Sequence, residues 1–184
     1  MPSVWIWITI VVLAMLGVWI VLARQRPDIF RVTRSIEIDA PREAIYPMIA
    51  DLKIMNTWNE FAFRDAEGKG HYKGAAQGVG AMYAFDGRKS GAGIISVTEV
   101  TPPQSLVMRL QMTKPMACDN RIDFTLVPND NGTIVTWAME GRAPLYAKMI
   151  QTVFNMDRMV GRDFETGLKR LKGLAEPERA EPRD

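Results

Sequence analysis

The strongest helical pattern in the C-terminal half of the chain lies in residues 144–173, which read PLYAKMIQTVFNMDRMVGRDFETGLKRLKG. Apolar side chains recur there at steps of three and four, the spacing that places them on one face of an α-helix. That face consists of Met149, Val153, Met156, Val160, Phe164, Leu168 and Leu171. Pro144 suits a first helical turn and Gly173 suits a stop. The pattern predicts one long amphipathic helix whose apolar face other elements must cover.

The residues before this helix show the two-residue alternation that is typical of β-strands. Residues 30–38 form the first such run, and Arg34 is the side chain that breaks its apolar parity. The sequence PNDNG at residues 128–132 predicts a hairpin turn. Eight of the 14 glycines lie in residues 68–93, which indicates short curved strands, since their spacing does not match a phosphate-binding G-x-G-x-x-G loop. Further strands are predicted at residues 94–100, 106–113, 122–126 and 135–139.

Two short helices are predicted between the first strand and the glycine-rich region. Asp39 can cap the first of them, Pro41 can begin it, and Pro47 should bend or divide it. A second helical piece carries Met55 and Trp58. The order of strand, short helices, antiparallel strands and one long helix predicts an α+β fold in which a curved sheet wraps around the last helix.

The N-terminus carries a separate apolar segment. Residues 4–23 contain no charge and span about 30 Å as a helix, the thickness of the hydrocarbon core of a bilayer. Tryptophans lie near both ends, and Arg24 and Arg26 follow directly. A cleaved secretory signal is the alternative, but no basic residue precedes the segment and no convincing cleavage site follows it. We predict a single-pass anchor that places the remaining chain on the cytoplasmic side of the membrane.

The composition of the chain after this apolar segment excludes several classes of function. The chain has 184 residues, and the part from residue 27 onwards carries 21 basic and 21 acidic side chains, a balance that argues against a nucleic-acid surface. Its single cysteine, Cys118, excludes an internal disulfide and a cysteine-based zinc site. No cofactor or metal is expected. We predict an anchor with its basic flank at residues 1–26, one domain at residues 27–175 and a disordered tail at residues 176–184.

An ordered set of short motifs in residues 30–174 resembles the SRPBCC superfamily, the START-like helix-grip group, and within it the polyketide cyclase/dehydrase and lipid-transport branch. The motifs are IEIDAP at residues 36–41, Trp58-Asn59, GAG at residues 91–93, VTEVTPP at residues 97–103, GTIVTW at residues 132–137 and DFETGL at residues 163–168. The resemblance implies a seven-stranded antiparallel sheet that grips the C-terminal helix, with an apolar cavity for a hydrophobic small molecule between them. It implies no catalytic residue, because the group shares none.

Candidate cavity-lining residues follow from the inward faces of the predicted strands and helix. Several are methionines, whose flexible thioethers suit an adaptable apolar site. Packing in an ordinary core is the open alternative for each methionine and for the two tryptophans. The predicted lining residues are Trp58, Tyr83, Met108, Leu110, Met112, Phe124, Trp137, Met139, Met149, Val153, Met156 and Val160.

Ionisable residues offer weaker candidates. We expect His71 to lie in a solvent-facing loop and Cys118 to be an inert, partly buried thiol. Arg109 and Asp123 are expected to form an exposed cross-strand pair. Glu60, Asp119 and Glu140 are the carboxylates whose burial would indicate a general acid or base.

Three functions are compatible with these observations. The first is a membrane-tethered module that binds or transfers a lipid or isoprenoid-like molecule. The second is an enzyme of the cyclase or dehydrase type that uses the same cavity, with one buried polar group moving a proton. The third is a protein-interaction domain without a ligand, which predicts a large apolar patch away from the cavity mouth.

Overall fold

The computed structural model describes residues 2–63, 69–153 and 155–176. Its elements in chain order are α1 (Pro2–Arg24), β1 (Ile29–Ile38), α2 (Arg42–Ala50), α3 (Leu52–Trp58), α4 (Glu60–Phe63), β2 (Lys69–Gly74), β3 (Ala81–Gly87), β4 (Gly91–Thr101), β5 (Ser105–Lys114), β6 (Cys118–Asn129), β7 (Gly132–Arg142), α5 (Leu145–Val153) and α6 (Met156–Ala175).

The strands form one antiparallel sheet in the order β1-β7-β6-β5-β4-β3-β2. Strands β2 to β7 each pair with their neighbours in the chain, while β1 pairs with β7 through Ile29↔Arg142 to Ile38↔Thr133. Helices α2 to α4 carry the chain from one edge of the sheet to the other. The predicted α+β helix-grip fold, the curved strands of the glycine-rich region and the β6–β7 hairpin are confirmed.

Helix α6 packs on the inner face of the sheet through an aromatic cluster. The Phe164 ring stacks on Trp137 with centroids 4.0 Å apart and planes within 8°. Trp58 meets Trp137 edge-on at 5.7 Å. Gly167 lets the helix approach closely, because a Cβ at this position would lie 3.1 Å from the Trp137 ring. Burial of these rings contributes to the apolar stabilisation of the domain.

The predicted C-terminal helix is present as two helices. The apolar stripe divides into α5, which begins at Leu145 directly after Pro144, and α6, so the prediction of one continuous helix is wrong. Asn155 caps α6, since its side-chain oxygen accepts a hydrogen bond from the Arg158 amide at 2.9 Å. An asparagine that bonds the backbone ahead of it favours a helix start over helix continuation. Helix α5 is thereby free to take another direction and packs against α1.

Arg34, the residue that breaks the parity of β1, reaches under α6. Its guanidinium lies 3.1 Å from Asp157 and 2.7 Å from Glu165. Gly161 provides the space, because a Cβ there would lie 2.0 Å from the guanidinium. Two carboxylates at this group raise the pKa of Arg34 above its usual value, Asp157 contributing most. The contact ties α6 to the edge strand β1.

The connection after β1 differs from the prediction in two details. Pro41, which has no side-chain cap bond, stands at the N-cap of α2, so the predicted cap at Asp39 is wrong. The Asp39 amide instead donates to Glu176 at 2.8 Å, which places Glu176, predicted as part of the tail, against the domain. Helix α2 continues through Pro47 to Ala50 rather than dividing at the proline. Residues 177–184 of the predicted tail lie outside the described residues.

Helix α1 matches the predicted apolar segment. The stretch Val4–Arg24 has a mean hydropathy of 2.7 and is long enough to cross a membrane. Most of its large apolar side chains are exposed, Trp5 to 72%. Near its C-terminal end the helix contacts the domain: Ala23 is fully buried, and the Trp19 indole donates to the Thr152 hydroxyl of α5.

Phe164→Ala should strongly destabilise the domain. Removing a ring that is 1% exposed and stacked on Trp137 leaves a void, and we expect the free energy of unfolding to fall by about 3–5 kcal/mol. The measurement is denaturant unfolding of the full chain followed by near-ultraviolet circular dichroism. Lys169→Ala, at an exposed position of the same helix, is the control and should change stability by no more than about 0.5 kcal/mol. Equal effects of both variants would contradict the packing described.

The effect of Asp157→Asn on the free energy of unfolding should depend on pH, because the Asp157 carboxylate is paired with Arg34. The hydrogen bond from Arg34 holds the pKa of the Asp157 carboxyl below its usual value of 3.8. The charged form therefore stabilises the folded state above this pH, and the stabilisation is lost as the pH falls through the folded-state pKa. Because Asp157 is 58% exposed, we expect a neutral-pH deficit of at most about 1 kcal/mol.

The measurement compares unfolding free energies of wild type and Asp157→Asn from neutral pH to below the usual aspartate pKa. The difference should shrink on acidification. In an Arg34→Met background the same substitution should have little effect at any pH. A deficit that stays constant down to the most acidic condition would show that Arg34 is not its cause.

Candidate ligand cavity

A cavity of about 430 Å³ lies between the inner face of the sheet and the helices that cover it. Helix α6 packs tightly over one end of the sheet, and the curvature of the strands leaves space towards the other end. The wall is mainly apolar, with contributions from the strands, from α3 and α4, and from α5 and α6. A volume of this size falls within the range of about 300–1,000 Å³ that is usual for small-molecule sites.

More than half of the predicted lining residues are brought together on this wall. They come from β3, β5, β7 and the first turns of α6. These residues are Tyr83, Leu110, Met112, Trp137, Met139, Met156 and Val160. Whether they contact a ligand stays a prediction.

The structure places three other predicted lining residues in the packed core and not on the wall. Trp58, Met108 and Phe124 are at most 1% exposed, and Trp58 also donates a hydrogen bond to the Met48 carbonyl at 2.9 Å. Trp58 belongs to α3 and meets Phe124 of β6 edge-on, with ring centroids 6.2 Å apart. Met149 is half-buried on α5 away from the wall, and the side chain of Val153 lies outside the described residues.

The wall also contains residues that the sequence analysis did not assign to it, among them two from β6. Asn120 is 6% exposed and Cys118 is half-buried, and both belong to β6. A signal was available, because the inward alternation of Phe124 and Ile122 continues to residues 120 and 118 when the strand is extended by four residues. The predicted strand began at residue 122, so neither side chain was assigned to a face.

The predicted pair of Arg109 with Asp123 is wrong. In the register of β5 and β6, Arg109 lies opposite Arg121. Arg109 therefore binds Asp119 at 2.8 Å, while Asp123 accepts from Arg121 at 3.0 Å. The hydrogen bond from Arg109 lowers the pKa of Asp119 below its usual value. Both pairs lie on the outer face of the sheet.

The carboxylates singled out in the sequence do not line the cavity. Glu60 bridges to Arg170 at 2.8 Å, Asp119 is bound to Arg109, and Glu140 lies on the outer parity of β7. His71 is exposed as expected but lies in the edge strand β2 rather than in a loop. Within the described ranges, no cluster of His, Cys, Asp and Glu is arranged to hold a metal ion.

Cys118 offers a natural reporter of the cavity, since it is the only cysteine of the chain and lies on the wall. Burial raises the pKa of its thiol above the usual value. The thiolate is the reactive form, so a raised pKa lowers reactivity at neutral pH.

We expect Cys118 of the folded protein to react with N-ethylmaleimide more slowly than free cysteine at the same pH, with a rate that rises as the pH rises towards the thiol pKa. The measurement is a time course of alkylation by intact-protein mass spectrometry. Denaturant should restore the rate of a free thiol, which is the control. Alkylation of the native protein as fast as free cysteine would contradict the burial.

Comparisons with known proteins agree with this architecture. Residues 30–176 match the family described as polyketide cyclase / dehydrase and lipid transport. Protein CV1439 from Chromobacterium violaceum superposes with a TM-score of 0.57 at 18% identity, over 83% of this chain and 100% of that one. Protein MLL2253 from Mesorhizobium loti gives 0.58 at 18%, over 80% and 100%.

A third solved structure, DynU16 from the dynemicin biosynthetic locus, superposes with a TM-score of 0.53 at 18% identity, over 80% of this chain and 47% of that one. No curated protein sequence matches this chain significantly. Identities this low show a shared fold alone.

Proposed function

The chain belongs to the polyketide cyclase/dehydrase and lipid transport family, and we propose that it is a membrane-tethered module that binds or transfers a lipid or isoprenoid-like molecule in its cavity. The observation that carries the proposal is the apolar cavity between the sheet and α6. Its charged wall residues Asp86, Lys89 and Arg142 are all exposed, which places them at the mouth. The interior that the structure describes therefore suits an apolar molecule.

Tethering is supported by the surface of α1. Apolar side chains such as Trp7, which is 67% exposed, cover this helix on all sides. A helix of that kind is stable in hydrocarbon and would cause aggregation in water. By the positive-inside rule, Arg24 and Arg26 favour a cytoplasmic location for the domain of residues 27–175.

The rim of the cavity supports the membrane as the source of the ligand. Met116, Tyr146 and Met159 are wall residues that remain about half exposed, so the part of the mouth that they form is apolar. Tyr146 belongs to α5, the helix that packs against α1. This arrangement holds the mouth beside the emerging anchor, where an apolar ligand could pass from the bilayer with little exposure to water.

A cyclase or dehydrase reaction would require a positioned acid or base within the cavity. The carboxylate on the described wall is Asp86, which is 69% exposed and lies 3.9 Å from Lys114 at the surface. A carboxylate in that position is solvated and is poorly placed to move a proton inside the cavity. The geometry supports binding ahead of this alternative.

Leu110→Trp should block the cavity. We test this with the full chain in phosphatidylcholine nanodiscs that contain a long-chain fatty alcohol carrying a photoactivatable diazirine. Wild type should give adducts on cavity peptides, and the larger side chain should reduce them about tenfold or more, since each 1.4 kcal/mol lost from binding is a factor of ten. The measurement is peptide mapping by mass spectrometry.

Ile94→Trp is the matched control. Ile94 is 43% exposed on the outer parity of β4, while its neighbour Ile95 lines the cavity opposite Leu110. This variant should label as wild type does. Adducts on α1 in every sample report that the probe is present. Labelling of α1 without labelling of cavity peptides in wild type would refute the proposed function.

A further inference from the structure

We propose that Asn120 is the polar anchor of the cavity and selects a ligand whose buried end is an uncharged hydroxyl group. The inference rests on the proposed binding function and adds the chemistry of the ligand. It is argued from the position of this amide, from its missing hydrogen-bond partner and from the glycine beside it.

Asn120 is a buried amide in an apolar surface. It lies on the inner face of the sheet, between Leu110 of β5 and Gly141 of β7 in the register of the strands. Its exposed fraction is 6%. Met112 and Met139 are further members of the same part of the wall. A polar side chain placed here is costly unless something binds to it.

The amide has one weakly occupied end and one end without a protein partner. Its Nδ2 atom lies 3.5 Å from the Cys118 sulfur and 3.9 Å from the Met139 sulfur, both weak acceptors. Its Oδ1 atom is buried without a hydrogen-bond partner. In this orientation of the amide, the oxygen is the end left for a donor. An unsatisfied buried acceptor costs about 1–3 kcal/mol.

Gly141 makes room for this oxygen. A Cβ at residue 141 would lie 2.0 Å from Asn120 Oδ1. The backbone does not require glycine there, because Gly141 is not among the residues with positive φ. The absence of a side chain at residue 141 therefore leaves space for the Asn120 amide.

The rest of the wall indicates a neutral group with both donor and acceptor capacity. Trp137, another residue of the wall, has a buried indole Nε1 without a hydrogen-bond partner, and as a donor this atom requires an acceptor. The charged wall residues described above lie at the mouth, so a charged head group deep in the cavity would lack a counter-ion. A hydroxyl can donate to Asn120 and keeps lone pairs for a donor.

The test uses Cys118, whose sulfur adjoins the Asn120 amide, as the reporter of occupancy. The full chain in nanodiscs is exposed to N-ethylmaleimide with increasing mole fractions of dodecanol or of its isomer methyl undecyl ether in the lipid. Expressing both as mole fractions in the bilayer removes differences in partitioning. The protection of Cys118, relative to the same protein without additive, gives the apparent affinity for each compound.

We expect dodecanol to protect about three- to tenfold more strongly than the ether, the ratio expected for one net hydrogen bond. Asn120→Leu should abolish this preference while both compounds still protect. Gly141→Ala, which displaces the amide without removing it, should weaken the preference as well. The Ala variant keeps the test available should the Leu variant fail to fold.

A structural role of Asn120 would give a different stability. Replacing an unsatisfied buried amide by an apolar side chain of similar size should leave the thermal midpoint of Asn120→Leu equal to or above that of wild type. A lowered midpoint, together with a preference for dodecanol that Gly141→Ala leaves unchanged, would show that the amide has a structural role and would overturn the proposal.

Protection by both compounds with no preference in wild type would also overturn the anchor, because water alone would then satisfy the amide, while leaving the binding function intact. The absence of protection by either compound, together with the absence of cavity adducts from the diazirine probe, would refute both.

Discussion

The structure depends on one mismatch of size: a curved seven-stranded sheet has a larger inner face than a single helix can cover. Helix α6 covers one end through the Phe164 ring on Trp137, and Gly161 and Gly167 allow it to lie close to the strands. Arg34 then fixes the helix to the edge strand. The space over the part of the inner face that α6 does not cover is the cavity. The packing of the core and the presence of the cavity therefore have the same cause.

The fold could be predicted from the sequence because its causes are local and periodic. Alternating residues mark each strand, and the glycines and the PNDNG turn mark where strands bend or reverse. The break in apolar parity at Arg34 did indicate a charged side chain on the inner face, and such a side chain needs partners of opposite charge. The sequence could not identify these partners, because they lie more than a hundred residues further along the chain. The division into α5 and α6 was missed because apolar periodicity continues across Asn155, where a single capping bond ends one helix and begins the next.

The site was predicted less well, because inward parity does not distinguish a packed core from a cavity wall. Phe124 and Asn120 share one face of β6, and Trp137 and Met139 share one face of β7. What separates core from wall is how completely the covering helices fill the space above each strand, which is a tertiary property. Along β6 the inner face changes from an aromatic core at Phe124 to the buried amide of Asn120 and the half-buried thiol of Cys118. This change in side-chain polarity along β6 distinguishes the two ends of the cavity.

The short connection between α1 and β1 has a consequence for transport. Four residues separate Arg24 from Ile29, which permits at most about 18 Å between them even when the chain is fully extended. Lys148 of α5 also binds Asp28 within this connection, and the Ala143 amide donates to the Asp28 carbonyl at 2.8 Å. With α1 held in a bilayer, such a domain would have almost no freedom to leave the surface. A ligand would then exchange with the surrounding leaflet, at a rate set by its lateral diffusion in two dimensions. The domain could not carry a ligand through water to a distant membrane.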